Sequence, residues 1–398
     1  MRIAMLGVRG LPATYSGFET CVSEVASRLV EKGHQVVVYC RKNNWDYKNW
    51  NHNGNRYKGI EIVILPTVRN RSLETIVHTF LSTLHLLLYP TDVAIYFGVG
   101  NAIFTFLPRL RGIPTAVNVD GHDWRRKKWN GFAKQWLHSS EKWATRLATA
   151  IITDSPVIQR FYLEQYKCFS NYIAYGADVV NVLPGKWLKK FDLEPRDYIL
   201  YVGRLEPENN VHLLVEAYKK VRTDKKLVIV GDVSYPTTYS KKLKDQSNSR
   251  IIFTGFVYGR GYRELCSNSY AYVQPTEVGG IHPALIEAMG FGNCVLVNDT
   301  AANLDAIGEA GLSYKGKLGA EDLARQLDRV LGDAQIVKAY RKRAQEYARK
   351  RYSWDAVTDE YERLCFELVS EATEAAETDQ SRVAVGNKEY AGDKVKTN

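Results

Sequence analysis

Short apolar runs alternate with stretches of helical spacing along most of this chain. Residues 2–6 read as a strand. Phe18, Val22, Val25, Ala26 and Leu29 then fall on one helical face, and Gly33 stands where a helix C-cap belongs. Residues 35–39 form the next strand, rich in β-branched side chains. This βαβ unit repeats, with strand signals at 61–65, 92–97, 115–119, 150–153 and 172–175 and helical patterns between most of them. A second series begins at 198–202 and continues at 226–230, 250–253, 271–274, 294–297 and 311–314. After Gly319 the pattern is helical to about Ser370. Strands alternating with helices predict an α/β chain with two doubly wound parallel sheets.

The expected organisation is an N-terminal Rossmann-like domain at 1–180, a C-terminal Rossmann-like domain at 181–350 and a helical segment at 351–370. Residues 181–195 read as a linker, and the polar, aperiodic 371–398 as an unstructured tail. The apolar stretch 81–97 is broken by Ser82, Thr83, His85, Pro90 and Asp92, so it predicts two core elements rather than a membrane span.

Composition adds little to this picture. Hydrophobic residues make up 45% of the 398 residues and charged residues 25%, which is ordinary for a globular chain. The six cysteines form no CxxC pair and read as buried free thiols, not as a zinc or disulfide framework. MRIAMLGVRG has no signal-peptide pattern, so a cytoplasmic location is expected. The net charge of +10 fits anionic partners, whether phosphorylated ligands or an acidic membrane surface; nothing beyond the charge points to nucleic acid.

In doubly wound sheets ligands bind at the strand-to-helix loops. Four such loops carry candidate chemistry. The first runs from Gly7 through Tyr15, Ser16 and Gly17 to Glu19; its glycines permit close backbone approach, and it leads into a helix N-terminus able to meet an anion. It matches neither GxGxxG nor the P-loop, which disfavours a nicotinamide enzyme. The second holds Asp120, Gly121, His122, Asp123 and Trp124, an acidic and imidazole-bearing turn suited to accepting a proton or placing a hydroxyl, or else a capped turn with a solvated histidine. Downstream, Trp129, Ala133, Trp136, Trp143 and Leu147 share a helical face among lysines and arginines, which fits a core stripe or a membrane interface. The third loop places Arg204, Glu206 and Asn209 after a strand; the arginine can fork onto a diphosphate or pair with Glu206. The fourth, Gly279, Gly280, Ile281 and His282, opens a helix carrying Glu287, with backbone N–H groups positioned for phosphate and a carboxylate that needs polar partners.

Together, VRGLPATYSGFE, VDGHDWRRKKW, GRLEPENN and VGGIHPALIEAMG resemble the family 4 retaining glycosyltransferases of GT-B fold, over roughly residues 1–370, and within them the bacterial surface-polysaccharide rhamnosyltransferases. The resemblance implies an acceptor-binding first domain, a nucleotide-sugar-binding second domain and a late helix crossing back to the first. It assigns Arg204 to the donor diphosphate, Glu287 to the ribose, Gly279, Gly280, Ile281 and His282 to the phosphates and sugar, and Gly17 to the opposite wall. Asn209 joins the donor site, replacing the family's usual lysine, and Gly279 stands where the first of the paired glutamates is usual. Asp120 lies near the reacting centre with Arg204 as the catalytic pair, and Tyr15, His122, Asp123 and Trp124 face the acceptor. The implied reaction moves a sugar, with L-rhamnose on thymidine diphosphate as the best match, onto a saccharide or polyprenyl-diphosphate-linked acceptor. It implies no metal and no other cofactor, and it leaves room for peripheral contact with the inner face of the cell membrane. A non-catalytic nucleotide-sugar-binding subunit and a sugar-nucleotide epimerase are the rival readings.

Overall fold

The computed structural model describes residues 1–13, 17–42, 56–70, 73–119, 131–233 and 235–393. In chain order the first domain contains β1 (Arg2–Leu6), α1 (Gly17–Glu31), β2 (Gln35–Arg41), β3 (Arg56–Tyr57), β4 (Ile60–Leu65), α2 (Glu74–Leu86), β5 (Val93–Phe97), α3 (Phe106–Arg109), β6 (Thr115–Val119), α4 (Gly131–Leu147), β7 (Ala150–Thr153), α5 (Pro156–Tyr166) and β8 (Asn171–Tyr172). After α6 (Lys186–Lys190), the second contains β9 (Tyr198–Val202), α7 (Val211–Lys220), β10 (Lys226–Val230), α8 (Thr238–Lys244), β11 (Ile251–Gly255), α9 (Gly259–Asn268), β12 (Ala271–Gln274), α10 (Pro283–Gly290), β13 (Cys294–Asn298), α11 (Ala301–Ile307), β14 (Leu312–Tyr314), α12 (Gly319–Gly332) and α13 (Ala334–Arg351). The last helix is α14 (Trp354–Asp393).

The first sheet runs β3-β4-β2-β1-β5-β6-β7-β8 and the second β11-β10-β9-β12-β13-β14. Only β3 is antiparallel to its neighbour among the paired strands. Two residues long, β3 carries too little pattern to be legible in the sequence, and the expected strand at 172–175 shortens to Asn171–Tyr172. In each sheet the strand order reverses direction beside the first strand, between β1 and β5 and between β9 and β12. The loops following β1, β9 and β12 therefore open at switch points, where a doubly wound sheet leaves a crevice.

Helix α1 shows how the pattern becomes packing. Cys21, Val22, Val25, Ala26 and Leu29 form one fully buried stripe, in a core continuous with β1, β2 and the second domain. Five of the six cysteines are buried and Cys168 is half-buried, all as free thiols. Burial pushes the Cys21 and Cys40 thiols up to about 12, so they behave as apolar packing rather than as nucleophiles.

The chain crosses between the domains twice, and the crossings bind each other. The Ala177 N–H donates to the Tyr352 carbonyl at 2.6 Å, and Gly176 leaves room for the Trp354 ring, which a β-carbon there would overlap at 2.2 Å. Beyond Trp354 the last helix packs on the first domain. Arg28 pairs with Asp355 (2.9 Å), Lys32 with Asp359 (2.6 Å), and His34 meets Glu362 at 2.7 Å. Inside this contact the Asn118 amide donates to the Tyr361 hydroxyl at 2.7 Å.

Two expectations change. Residues 181–195 are not a free linker, because the buried Glu264 carboxylate accepts the N–H groups of Gly185, Trp187 and Leu188 at 2.9 Å each and fixes α6 onto α9. The helix α14 runs on to Asp393 through the segment that lacked periodicity. Its 371–377 stretch, EATEAAE, consists largely of strong helix formers, which extend a packed helix without needing an apolar face.

Candidate active site

A cavity of about 390 Å³ lies between the domains, walled by the N-terminal end of α1, the loop after β9, the N-terminal end of α9 and the loop from β12 into α10. Gly17, Arg204, Asn209, Gly280, Ile281, His282 and Glu287 all line it. One cleft therefore gathers seven of the eight residues assigned to the donor. The eighth, Gly279, shapes the turn: its φ is +133°, and a β-carbon would stand 3.1 Å from the His282 ring. Tyr15, Asp120, His122, Asp123 and Trp124 lie outside the described residues.

The Arg204 loop is held from beneath. Tyr201 and Asn209 both donate to the Arg204 carbonyl, at 3.2 and 2.7 Å. The Asn209 side-chain oxygen accepts from the Thr276 hydroxyl at 3.4 Å, Thr276 accepts from Gln274 at 2.6 Å, and Gln274 accepts from Tyr272 at 2.5 Å. The Arg204 backbone is thus fixed while its half-buried guanidinium remains at the cavity wall. Among the described residues that guanidinium makes no ion pair, with Glu206 or any other carboxylate. Asn209 supports the loop through its amide, a role its place in the motif did not reveal.

Opposite, Pro283 opens α10 directly after His282, and the turn through Gly280 presents backbone N–H groups at the helix N-terminus. Glu287 lies one turn further in. Tyr262, on α9, donates to its carboxylate. Burial is the largest influence on Glu287 and, with Asp178 and Glu24 nearby, outweighs the Tyr262 bond and the Arg263 charge, so that its carboxyl is pushed up to about 7. Burial and the Glu287 charge likewise push the Tyr262 phenol well above its ordinary range. Tyr262 was missed in the sequence, although the β11–α9 loop sits at the same sheet edge as the loops that were read.

The two domains meet tightly around this cleft. A β-carbon on Gly17 would lie 2.5 Å from the Pro283 ring, and one on Gly280 would lie 2.4 Å from the Asp154 carboxylate at the end of β7. Glycine at both positions lets the strand-to-helix loops of opposite domains touch. The tryptophan stripe resolves toward the core reading: Trp136 donates to the Gly100 carbonyl at 3.2 Å and packs edge-on against Trp143 at 5.0 Å. Trp129 and the Ala133 side chain lie outside the described residues.

Comparison with known proteins agrees with this geometry. Residues 186–351 match the family model described as "Glycosyl transferases group 1", and residues 1–178 match "Domain of unknown function (DUF1972)". The chain is 26% identical over 204 residues to the N-acetylgalactosamine-N,N'-diacetylbacillosaminyl-diphospho-undecaprenol 4-alpha-N-acetylgalactosaminyltransferase of Campylobacter jejuni, a match spanning 48% of this chain and 52% of that protein. It spans about half the length of the curated relatives it matches. Among solved structures, sucrose-phosphate synthase from Thermosynechococcus elongatus superposes with a TM-score of 0.77 at 18% identity, covering 93% of this chain and 99% of that one. The Anabaena protein HepE, solved in complex with UDP and glucose, superposes with a TM-score of 0.73 at 17% identity, covering 92% and 100%. The fold is GT-B, two parallel-sheet α/β domains facing a cleft, and residues 186–351 match the glycosyl transferases group 1 model.

Proposed function

We propose that this protein is a sugar-nucleotide-dependent glycosyltransferase that extends a cell-surface saccharide or a lipid-linked saccharide acceptor. The observation that carries this reading is the Arg204 guanidinium, which makes no ion pair among the described residues, sharing one cleft with the N-terminus of α10 and with Glu287. A fixed cation and a helix N-terminus are what a departing diphosphate requires, and a carboxylate one turn further on is what a ribose diol requires.

In this reading the glycosidic carbon–oxygen bond to the diphosphate breaks first, through an oxocarbenium-like state. Arg204 and the 280–282 turn take up the charge gathering on the leaving oxygen, so that no metal ion is assigned to the step. The acceptor hydroxyl attacks from the same face, and its proton passes to the departing phosphate oxygen, giving retention. Asp120 orients that hydroxyl, with Tyr15, His122, Asp123 and Trp124 on the acceptor side. The donor side is Gly17, Arg204, Asn209, Gly280, Ile281, His282 and Glu287, with Gly279 behind the turn.

The four loop motifs favour L-rhamnose on thymidine diphosphate. The Campylobacter relative is named for an N-acetylgalactosaminyl transfer onto a diphospho-undecaprenol acceptor, and HepE was solved with UDP and glucose, so the panel that tests the donor includes uridine carriers. The test is thermal stabilisation by nucleoside diphosphates and their sugars, since binding to the folded state alone raises the melting temperature. One preferred carrier supports the reading, and a folded protein indifferent to all of them removes it. NMR of the product's anomeric centre tests retention, and an inverted centre overturns that part.

A further inference from the structure

Helix α2 buries a row of polar side chains, with Leu86 beside them, and turns part of its apolar set outward. His78, Thr79, Ser82 and Thr83 are 0% exposed. Ser82 and Thr83 donate back to the carbonyls of His78 and Thr79 at 2.8 Å, and Thr83 meets the Tyr96 hydroxyl at 3.0 Å. Phe80, Leu84 and Leu88, spaced four apart, are instead 41%, 41% and 77% exposed. A surface helix ordinarily has the reverse arrangement. No Asp, Glu, Lys or Arg occurs from Thr75 to Thr91 to moderate that face.

The patch continues beyond α2. Phe80 packs against Phe104 at 5.8 Å, and α3 adds Phe106 and the 78% exposed Leu110. Its edge is cationic. Arg111 donates to the Leu87 carbonyl at 3.3 Å, and Arg109 donates to the Leu147 carbonyl at 2.8 Å, which brings both exposed arginines, and Arg146 beside Leu147, to the end of the patch that holds Leu88 and Leu110.

We propose that this α2–α3 face docks the protein on an anionic lipid bilayer. Phe80, Leu84, Leu88 and Leu110 enter the boundary between headgroups and acyl chains, and Arg109, Arg111 and Arg146 meet lipid phosphates. Charge favours lipid over a second copy of the chain: lipid phosphates complement the arginine edge, whereas a second copy brings the same cationic edge and the same net charge of +10. No helix among the described residues is long and apolar enough to cross a membrane, so this is attachment in the plane of the surface. The inference stands apart from the reaction proposed above and moves the membrane contact from the tryptophan stripe of α4 to the leucines of α2.

The test is co-sedimentation of the full chain with vesicles of phosphatidylcholine alone and with about a third phosphatidylglycerol. Wild type is expected to pellet with the anionic vesicles and to be released by salt. The variant Phe80→Gln/Leu84→Gln/Leu88→Gln removes only exposed side chains; it is expected to melt like wild type and to lose roughly tenfold or more of the vesicle partition. Wild type remaining in the supernatant overturns the proposal, as does a variant that pellets like wild type. So does sedimentation equilibrium showing a wild-type dimer that the triple variant dissociates, since the face would then belong to a second copy.

Discussion

Gly17 on α1 and Pro283 on α10 stand so close that no side chain fits between them: a β-carbon on Gly17 would meet the Pro283 ring at 2.5 Å. The two residues open the helices that face each other across the cleft, one from each domain. Gly17→Ala is therefore expected to wedge the cleft rather than to unfold either domain, with a local cost of about 1–3 kcal/mol. Calorimetry with the preferred nucleoside diphosphate should show weaker binding in a folded variant whose melting temperature falls by no more than about 10 °C. Wild-type affinity in this variant would mean that the domains separate freely at this contact.

Arg204 tests the charge-stabilising role. Its side chain makes no ion pair among the described residues, while its backbone is held by Tyr201 and Asn209. Arg204→Ala should leave the fold intact and lower turnover by more than about 100-fold, the effect of removing one preorganised donor. Steady-state kinetics on a folded variant check this, and near-wild-type turnover would take Arg204 out of the reaction.

Glu287 makes the site pH-dependent. Its carboxyl is pushed up to about 7, mainly by burial. If the carboxylate accepts the ribose hydroxyls, nucleotide affinity should rise roughly tenfold between about pH 6 and 8 and should be flat in Glu287→Gln. Stability moves the other way. The folded state holds a proton that the unfolded chain releases near its ordinary value, so the contribution is present below about pH 4.5 and lost as pH rises through about 7. Glu287→Gln is thus expected to be more stable than wild type at about pH 8, by about 1–2 kcal/mol after allowing for a side chain that is not wholly shut off from solvent. Tyr262→Phe removes a bond that favours the charged form and should shift the binding midpoint upward.

Asn209 is expected to act through the loop it supports. Asn209→Asp keeps an acceptor for Thr276 but cannot donate to the Arg204 carbonyl, and it places a negative charge beside the diphosphate site. Turnover should fall by on the order of tenfold or more. Asn209→Ala, which removes the support without adding charge, should lose less. Equal losses would show that the hydrogen bond, not the charge, dominates.

Much of this architecture was legible because parallel strands buried on both faces read as continuous apolar runs. Residues 2–6, 115–119, 198–202, 226–230 and 271–274 fold as the strands their pattern predicts. The loops that meet in the cleft were legible for a related reason: glycines and an arginine directly after strand ends stand where a doubly wound sheet opens its crevice. Tyr262 escaped because a tyrosine in a helix has no spacing that marks it as a carboxylate partner. Asp154 escaped because its proximity to Gly280 exists only once the domains are docked. The outward leucines of α2 were read as core for the converse reason: an apolar run does not say which side of it faces the protein, and here buried Thr79 and Thr83 take the inner side.

The measurement that tests the account most directly is sugar transfer itself. The full-length protein is incubated with the nucleotide sugar that stabilises it and with a lipid-linked or free saccharide acceptor, and products are followed by mass spectrometry. The account predicts an acceptor heavier by one sugar for each nucleoside diphosphate released, with release dependent on acceptor and lost in Arg204→Ala. A folded protein that binds the donor but leaves it intact with every acceptor, or that isomerises its sugar without one, would contradict it.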